Sequence, residues 1–324
     1  MAARPTTTQE TVDLLVVGAG LRGLRHAATA QRGGTSSVLL VDRAPRVGGS
    51  VRTQRSEGFV CELGPPSLPR EEFEALARCL RNPPRTVELA ETARTGSVLR
   101  NGQREPACVE EPLVTCRGGL EDLLVAFHRE LGPALRLGRE VTALEPTEDG
   151  VVVRLGGESP DLVRAHRLVL ATPLEESARL LAPADARLGA ALLALRWTPV
   201  ARVHLGWWTS ELGAVPPGYG IAVEDEGVEG VREVQWCSNQ FPGRSIAGRF
   251  LARIDVVGTP ASGDDDEVER VARAFLAARA DIHRQPVFRR VYRTSEKGPD
   301  GATAELAVRV GEAASRWTGV AWAT

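Results

Sequence analysis

Lysine is nearly absent from this chain. Of its 40 basic residues only Lys297 is a lysine, so arginine carries almost all the positive charge. A P-loop needs lysine directly after glycine, and no G-x-x-x-x-G-K-S/T run occurs. Schiff-base chemistry would rest on that one residue near the C-terminus. The five histidines (His26, His128, His166, His204 and His283) fall outside any H-E-x-x-H or H-x-E…C-x-x-C pattern, which removes zinc hydrolases and deaminases. G-x-S-x-G is missing too. The five cysteines contain no C-x-x-C pair and fit neither a disulfide framework nor a zinc site, so a reducing compartment is expected. No stretch approaches the roughly 18 apolar residues of a membrane span. The leading MAARPTTTQETVD has no hydrophobic signal core. Basic and acidic residues number 40 and 42, a balance that advertises neither nucleic acid nor a solvating acidic tail. Apolar residues at 43% of 324 supply core material for two units, and the chain reads as a globular cytoplasmic protein.

What is present begins at residues 13–18, DLLVVG, a short apolar run that reads as a buried parallel strand. It leads into Gly18-Ala19-Gly20-Leu21-Arg22-Gly23 and a helical stretch to about Gln31. Gly33-Gly34 stop the helix, and SSVLLVD supplies a second buried strand ending at Asp42. Gly18 permits a tight turn, Gly20 lets the backbone approach a pyrophosphate, and Gly23 lets the helix sit close to the strand. The helix N-terminus offers free N–H groups and a positive dipole end to phosphates. Asp42 is placed to accept hydrogen bonds from ribose hydroxyls. A Rossmann-like unit that binds nothing is the plainer alternative, because a fold does not carry function by itself.

Asp42 opens the segment DRAPRVGGSVRT, and Glu62-Leu63-Gly64-Pro65-Pro66-Ser67 stands some ten residues beyond it. The pair Gly48-Gly49 admits a second part of a long cofactor, and Arg52 could balance phosphate charge. Two ordinary glycine turns are the other reading. The arrangement resembles the FAD fingerprint of the amine oxidase and protoporphyrinogen oxidase superfamily. Further on, Arg117-Gly118-Gly119-Leu120 opens the amphipathic helix LEDLLVAFHREL, with Leu120, Leu123, Leu124 and Phe127 at helical spacing and His128 flanking that face. E-V-T at 140–142, L-A-T-P at 170–173 and W-C-S-N-Q-F-P-G-R at 236–244 are similar to the protoporphyrinogen oxidase branch.

That resemblance implies an α/β fold: a Rossmann-type FAD-binding domain with a second, α+β substrate domain built on a mixed or antiparallel sheet. FAD would be held by Gly18, Ala19, Gly20, Leu21, Arg22 and Gly23, then by Asp42, Arg43, Gly49 and Arg52. The backbone of Val141 would meet the adenine, and Gly64, Pro65, Pro66 and Ser67 would reach toward the ring. No catalytic acid or base and no metal ligand is assigned. The implied activity is oxidation of a porphyrinogen (protoporphyrinogen IX or coproporphyrinogen III) to the porphyrin in heme biosynthesis, with dioxygen as acceptor. An amine oxidase or desaturase relative, or a catalytically degenerate flavin fold, are the alternatives. Amine oxidases commonly hold a lysine near the flavin ring, and Lys297 lies near the C-terminus.

The expected division is 1–70 with 113–180 for FAD, 71–112 as a shortened connection, 181–293 for substrate, and 294–324 as a divergent or truncated end. Three departures from the family pattern stand out. The long helical insert that roofs the site, and in some members docks on a membrane, shrinks to about a dozen residues. An arginine–aromatic pair near the substrate carboxylates aligns with Gly96-Ser97, with Arg94 and Arg100 close by. Of the closing glycine-rich motif only Gly319-Val320-Ala321 is similar. A flavin ring open to solvent, no peripheral membrane contact, and no nucleic-acid partner are therefore expected.

Overall fold

The computed structural model describes residues 9–156, 161–183, 185–224, 230–297 and 301–323. Residues 1–8, which include most of the stretch read above as lacking a signal core, lie outside the described residues. The apolar runs are unbroken because both faces of their sheet are covered. In Gln9–Val17, Leu14 and Val16 pack on one side while Val12, Leu15 and Val17 pack on the other. Val38–Asp42 likewise separates Leu40 from Leu39 and Val41. Helices Leu21–Arg32, Arg70–Ala77 and Glu121–Leu131 cover the first side. Leu174–Leu181, Ala186–Leu193 and Gly301–Ser315 cover the second. This double layer is what a parallel sheet requires.

The order across the sheet is Leu135–Leu137, Val38–Asp42, Gln9–Val17, Asp161–Leu170, Gly150–Leu155 and Val141–Thr147. The first four are parallel and the last two antiparallel. Residues near the C-terminus complete it. Gly301–Ser315 buries Leu306, Val310, Ala313 and Ala314 against the sheet, and Val320–Trp322 pairs in parallel with Leu168–Leu170. Gly150–Leu155 occupies that flank of Asp161–Leu170 only as far as Ala165, which leaves the end of the strand open to the added one.

The second sheet runs Phe288–Lys297, Trp197–Trp208, Arg249–Val257, Val231–Gln235, Gly220–Val223, Thr95–Arg100 and Gln103–Cys108. It is mixed: Gly220–Val223 and Thr95–Arg100 are parallel, and its other neighbouring pairs are antiparallel. Thus residues 71–112, read as a shortened connection, contribute two strands to it. Helix Asp265–Ala280 closes one face over Val203, Leu205, Trp207, Val234 and Ile254. The Asp264 carboxylate caps that helix at the Glu267 N–H (2.8 Å), and its acidic first turn suits the dipole. The opposite face carries Arg202, His204, Glu233, Gln235, Arg253 and Asp255, and part of it packs on Leu63 and Gly64.

Candidate cofactor-binding site

A cavity of about 620 Å³ opens at the C-terminal ends of Gln9–Val17 and Val38–Asp42, where doubly wound sheets bind ligands. Of the residues expected to touch a cofactor, Gly18, Gly20, Leu21, Arg22, Asp42, Arg43, Gly49, Pro65 and Val141 line it. Ala19, Gly23, Arg52, Gly64, Pro66 and Ser67 do not. Local geometry explains the division. A Cβ on Gly23 would lie 1.8 Å from the Gly18 carbonyl oxygen, so Gly23 serves the packing of helix on strand. Gly18 has φ +106°, and its Cβ would fall 2.7 Å from the Ala171 oxygen. Gly20 is the opposite case: it lines the cavity, yet a Cβ there would meet no protein atom within 4 Å. Beside it, helix Leu21–Arg32 begins without a side-chain cap, which leaves its first N–H groups and positive dipole end for a phosphate. The cradle fits a dinucleotide pyrophosphate.

Asp42 braces this loop. Its carboxylate accepts the Ala19 N–H (2.6 Å) on one oxygen and the Ala44 N–H (2.7 Å) on the other, and each oxygen keeps a further lone-pair site. Arg43 meets Glu176 at 3.2 Å, and both line the cavity, so an ion pair spans its mouth. Glu176 was not foreseen, and neither was Arg46, whose guanidinium donates to the carbonyls of Val47 (3.1 Å), Gly49 (3.3 Å) and Val51 (3.3 Å). Arg46 could have been singled out, since it sits inside the same fingerprint. Arg52 is exposed. A Cβ on Gly64 would lie 2.0 Å from the Ser50 oxygen, so Gly64 seats its segment on the second glycine loop.

The segment 62–65 is anchored on both sides. Buried Glu62 accepts the Leu120 N–H (2.8 Å) and the Thr53 hydroxyl (2.7 Å), and pairs with buried Arg244 at 3.3 Å. Burial pushes its carboxyl up, against the pull of Arg244. From the second sheet, Arg202 donates to the Leu63 carbonyl (3.0 Å) and Arg253 to that of Gly64 (2.8 Å). Asp255 holds Arg253 through two bonds, of 2.9 and 3.0 Å. Burial alone would raise the Asp255 carboxyl, but the guanidinium of Arg253 beside it holds it below the usual range. His204 is fully buried, and desolvation with the Arg253 cation pushes its imidazole down to about 3, so it stays neutral. Arg202 and Arg253 were not singled out in the sequence, and Arg244 stood only within the W-C-S-N-Q-F-P-G-R segment. The signal for Arg253 and Asp255 was two opposite charges at i and i+2 in the otherwise apolar strand FLARIDVV. Near Gly96-Ser97, Arg94 pairs with Glu91 and Arg100 with Glu105 and Glu224.

Two family models match the chain, an NAD(P)-binding Rossmann-like domain over residues 16–82 and the flavin containing amine oxidoreductase over residues 88–285. The chain belongs to the flavin containing amine oxidoreductase family. Members of that family are FAD-dependent, and the cradle at Gly20 has the shape that cofactor needs. This flavin oxidoreductase is 32% identical over 194 residues to the coproporphyrinogen III oxidase of Propionibacterium freudenreichii subsp. freudenreichii. The match takes in 57% of this chain and 34% of that enzyme, about a third of the relative's length. In three dimensions it is similar to a protein of Exiguobacterium sp. 255-15 provisionally assigned as a protoporphyrinogen oxidase, with a TM-score of 0.76 and 15% identity, covering 98% of this chain and 94% of that one. A triple mutant of putrescine oxidase gives a TM-score of 0.71 at 16% identity, covering 97% and 93%. At such identities the likeness shows the fold alone. It is a mixed α/β flavoenzyme fold, with a Rossmann-like sheet joined to a second, mixed one.

Proposed function

We propose that this flavin oxidoreductase converts a porphyrinogen, protoporphyrinogen IX or coproporphyrinogen III, to the porphyrin with dioxygen as final acceptor, a step of heme biosynthesis. The observation that carries this reading is the 32% identity over 194 residues to a coproporphyrinogen III oxidase. Bound FAD supplies the two-electron acceptor for the substrate's hydride. The residues of the chain hold and orient it. Gly18, Gly20 and the N-terminus of helix Leu21–Arg32, with Leu21 and Arg22, cradle the pyrophosphate. Asp42 braces that loop through Ala19 and offers its remaining lone pairs to the ribose. Arg43 with Glu176, Val141 and Pro65 line the rest of the cavity, where Val141 would meet the adenine and Pro65 would stand toward the ring.

Amine oxidation is disfavoured by the single lysine. Lys297 is ion-paired with Glu175 and does not line the cavity. The FAD-binding unit is read as 1–70 with 113–180, joined by helices Ala186–Leu193 and Gly301–Ser315 and the strand Val320–Trp322. The substrate unit, expected over 181–293, is read instead from Trp197 to Lys297 plus the hairpin strands Thr95–Arg100 and Gln103–Cys108. All five cysteines are free and four are buried, which suits a reducing cytoplasm. Among the described residues no helix is long and apolar enough to cross a membrane.

The test reconstitutes the purified chain with FAD, desalts it, and offers coproporphyrinogen III, protoporphyrinogen IX and putrescine separately in air. Near-stoichiometric flavin bands and oxygen-dependent porphyrin fluorescence are expected. Flavin-loaded protein that consumes putrescine and leaves both porphyrinogens untouched overturns the substrate. A colourless protein points to a degenerate flavin fold.

A further inference from the structure

The face of the second sheet turned away from helix Asp265–Ala280 is polar where core packing would make it apolar. Cross-strand partners share a face, so the pairs Gln235–Arg253 and Glu233–Asp255 set four polar side chains side by side. The intervening Val234 and Ile254 belong to the core on the other face. Arg253 and Asp255 satisfy each other, and Arg253 reaches the Gly64 carbonyl. Their neighbours are less complete. Gln235 is 4% exposed, its amide nitrogen donates to Glu233 Oε1 at 2.9 Å, and its side-chain oxygen accepts nothing. Glu233 is half-buried, accepts that one side-chain hydrogen bond, and forms no ion pair among the described residues. A buried acceptor without a donor thus stands beside a carboxylate with lone pairs to spare, and native interiors rarely leave such an acceptor empty unless a ligand completes it. Their location fits that explanation. They lie one inter-strand spacing, roughly 5 Å, from the strand whose Arg253 holds Gly64, and the next residue, Pro65, lines the ring end of the cavity.

We propose that Glu233 and the side-chain oxygen of Gln235 form the acceptor wall for the N–H groups of the substrate. Given the porphyrinogen reading, on which this rests, the donors are the pyrrole N–H groups turned toward the centre of the macrocycle. A carboxylate accepts such bonds more strongly than a neutral oxygen does. The charged and titratable groups around Glu233 are Arg253 and Asp255 on the adjacent strand, Arg232 on its own, and Tyr219 just before Gly220–Val223. Burial pushes the Glu233 carboxyl up, and Asp255 acts the same way; the Gln235 amide, Arg253 and Arg232 pull against them. The protonated form therefore persists above the ordinary carboxylate range, and ligand binding strengthens as pH rises through that raised value.

The experiment reduces the FAD-loaded protein with dithionite without air, so that the flavin can accept no hydride, and titrates it with coproporphyrinogen III and separately with putrescine, following tryptophan fluorescence across about pH 5 to 8. Flavin content and thermal midpoint monitor folding. Glu233→Leu is expected to weaken coproporphyrinogen III binding about tenfold or more with flavin content unchanged. Glu233→Gln, which keeps shape and one acceptor oxygen, is expected to bind at an intermediate level and to lose the pH dependence. If Glu233→Leu binds coproporphyrinogen III like the parent, or Glu233→Gln keeps the parent's pH profile, the acceptor wall is wrong even where porphyrinogen turnover persists. If Glu233→Leu loses putrescine binding and coproporphyrinogen III binds neither protein, the wall stands and the porphyrinogen reading fails instead.

Discussion

Gly20 and Gly23 stand three residues apart in one fingerprint and do opposite work. Gly23 is enclosed by protein, with the Gly18 carbonyl where its Cβ would go, whereas Gly20 faces open cavity at φ −73°, an unstrained angle for any residue. Valine at 20 meets no protein atom and costs only the poorer N-cap, roughly 0.5–1 kcal/mol, but fills the space that a pyrophosphate needs. Valine at 23 must push helix from strand, and overpacking of that kind costs roughly 1–3 kcal/mol or more. We expect Gly20→Val to lower the unfolding midpoint only slightly, measured without added FAD, and to lose flavin on desalting. Gly23→Val should lower the midpoint first. Equal flavin content in the parent and Gly20→Val would refute the pyrophosphate assignment. These glycines were legible in the sequence because backbone geometry dictates them locally. The arginine anchors were not, since their acceptors are carbonyls 139 and 189 residues away and carry no side-chain signature. The motif residues Thr53, Glu62, Leu120 and Arg244 were legible as a pattern but not in purpose, for they meet in one buried hub that aligns the segments and does not line the cavity.

At the scale of elements, the strand Val320–Trp322 shows what short apolar segments conceal. Three residues cannot display a period, so only the turn before them, at Gly319, carried any sign in the sequence. The structure gives that glycine a φ of +74° and places its would-be Cβ 2.3 Å from the His166 carbonyl oxygen. Its own carbonyl accepts the Leu168 N–H at 2.8 Å, which starts the parallel pairing. Helix Gly301–Ser315 was not read in the sequence, where 294–324 stood as a divergent or truncated end, although Leu306, Val310 and Ala313 recur at helical spacing on its buried face. Both expected strands of the Rossmann start, by contrast, appear close to where they were read, since long apolar runs bounded by glycine leave few alternatives. Gly319→Ala is expected to destabilise the protein by about 1–3 kcal/mol through left-handed strain and the carbonyl clash. Urea unfolding followed by tryptophan fluorescence reads the effect, with Trp317 and Trp322 flanking the site. An unchanged midpoint would mean that the strand does not depend on this turn.

Taken as a whole, the molecule is built on two large sheets with separate cores, joined by an apolar cluster of Phe59, Cys61, Leu63, Cys237, Leu251 and Phe288 and by charged side chains that cross between them. Arg202 and Arg253 make the junction on one side, and Lys297 with Glu175 makes it on the other. The second junction reaches the cofactor cavity through one helix. Leu174–Leu181 carries Glu175, which holds Lys297 from the second sheet, and next to it Glu176, which pairs with Arg43 at the cavity mouth. The Lys297 ammonium also lies 5.2 Å from the centre of the Trp197 ring. Because no other lysine exists in the chain, amine acylation reports on this junction alone, apart from the terminal α-amino group. The Lys297 amine is 19% exposed and held between Glu175 and the Trp197 ring, which limits its approach by a reagent. The folded protein should therefore acylate Lys297 far more slowly than the urea-unfolded chain does. Glu175→Gln should raise the rate about 1.4- to fivefold, the equivalent of the roughly 0.2–1 kcal/mol typical of a partly exposed ion pair. Peptide mass spectrometry of timed samples measures both. If Lys297 reacts as fast in the folded protein as in the unfolded one, the sheets are not held together at this contact, and the route from the second sheet to Glu176 is broken.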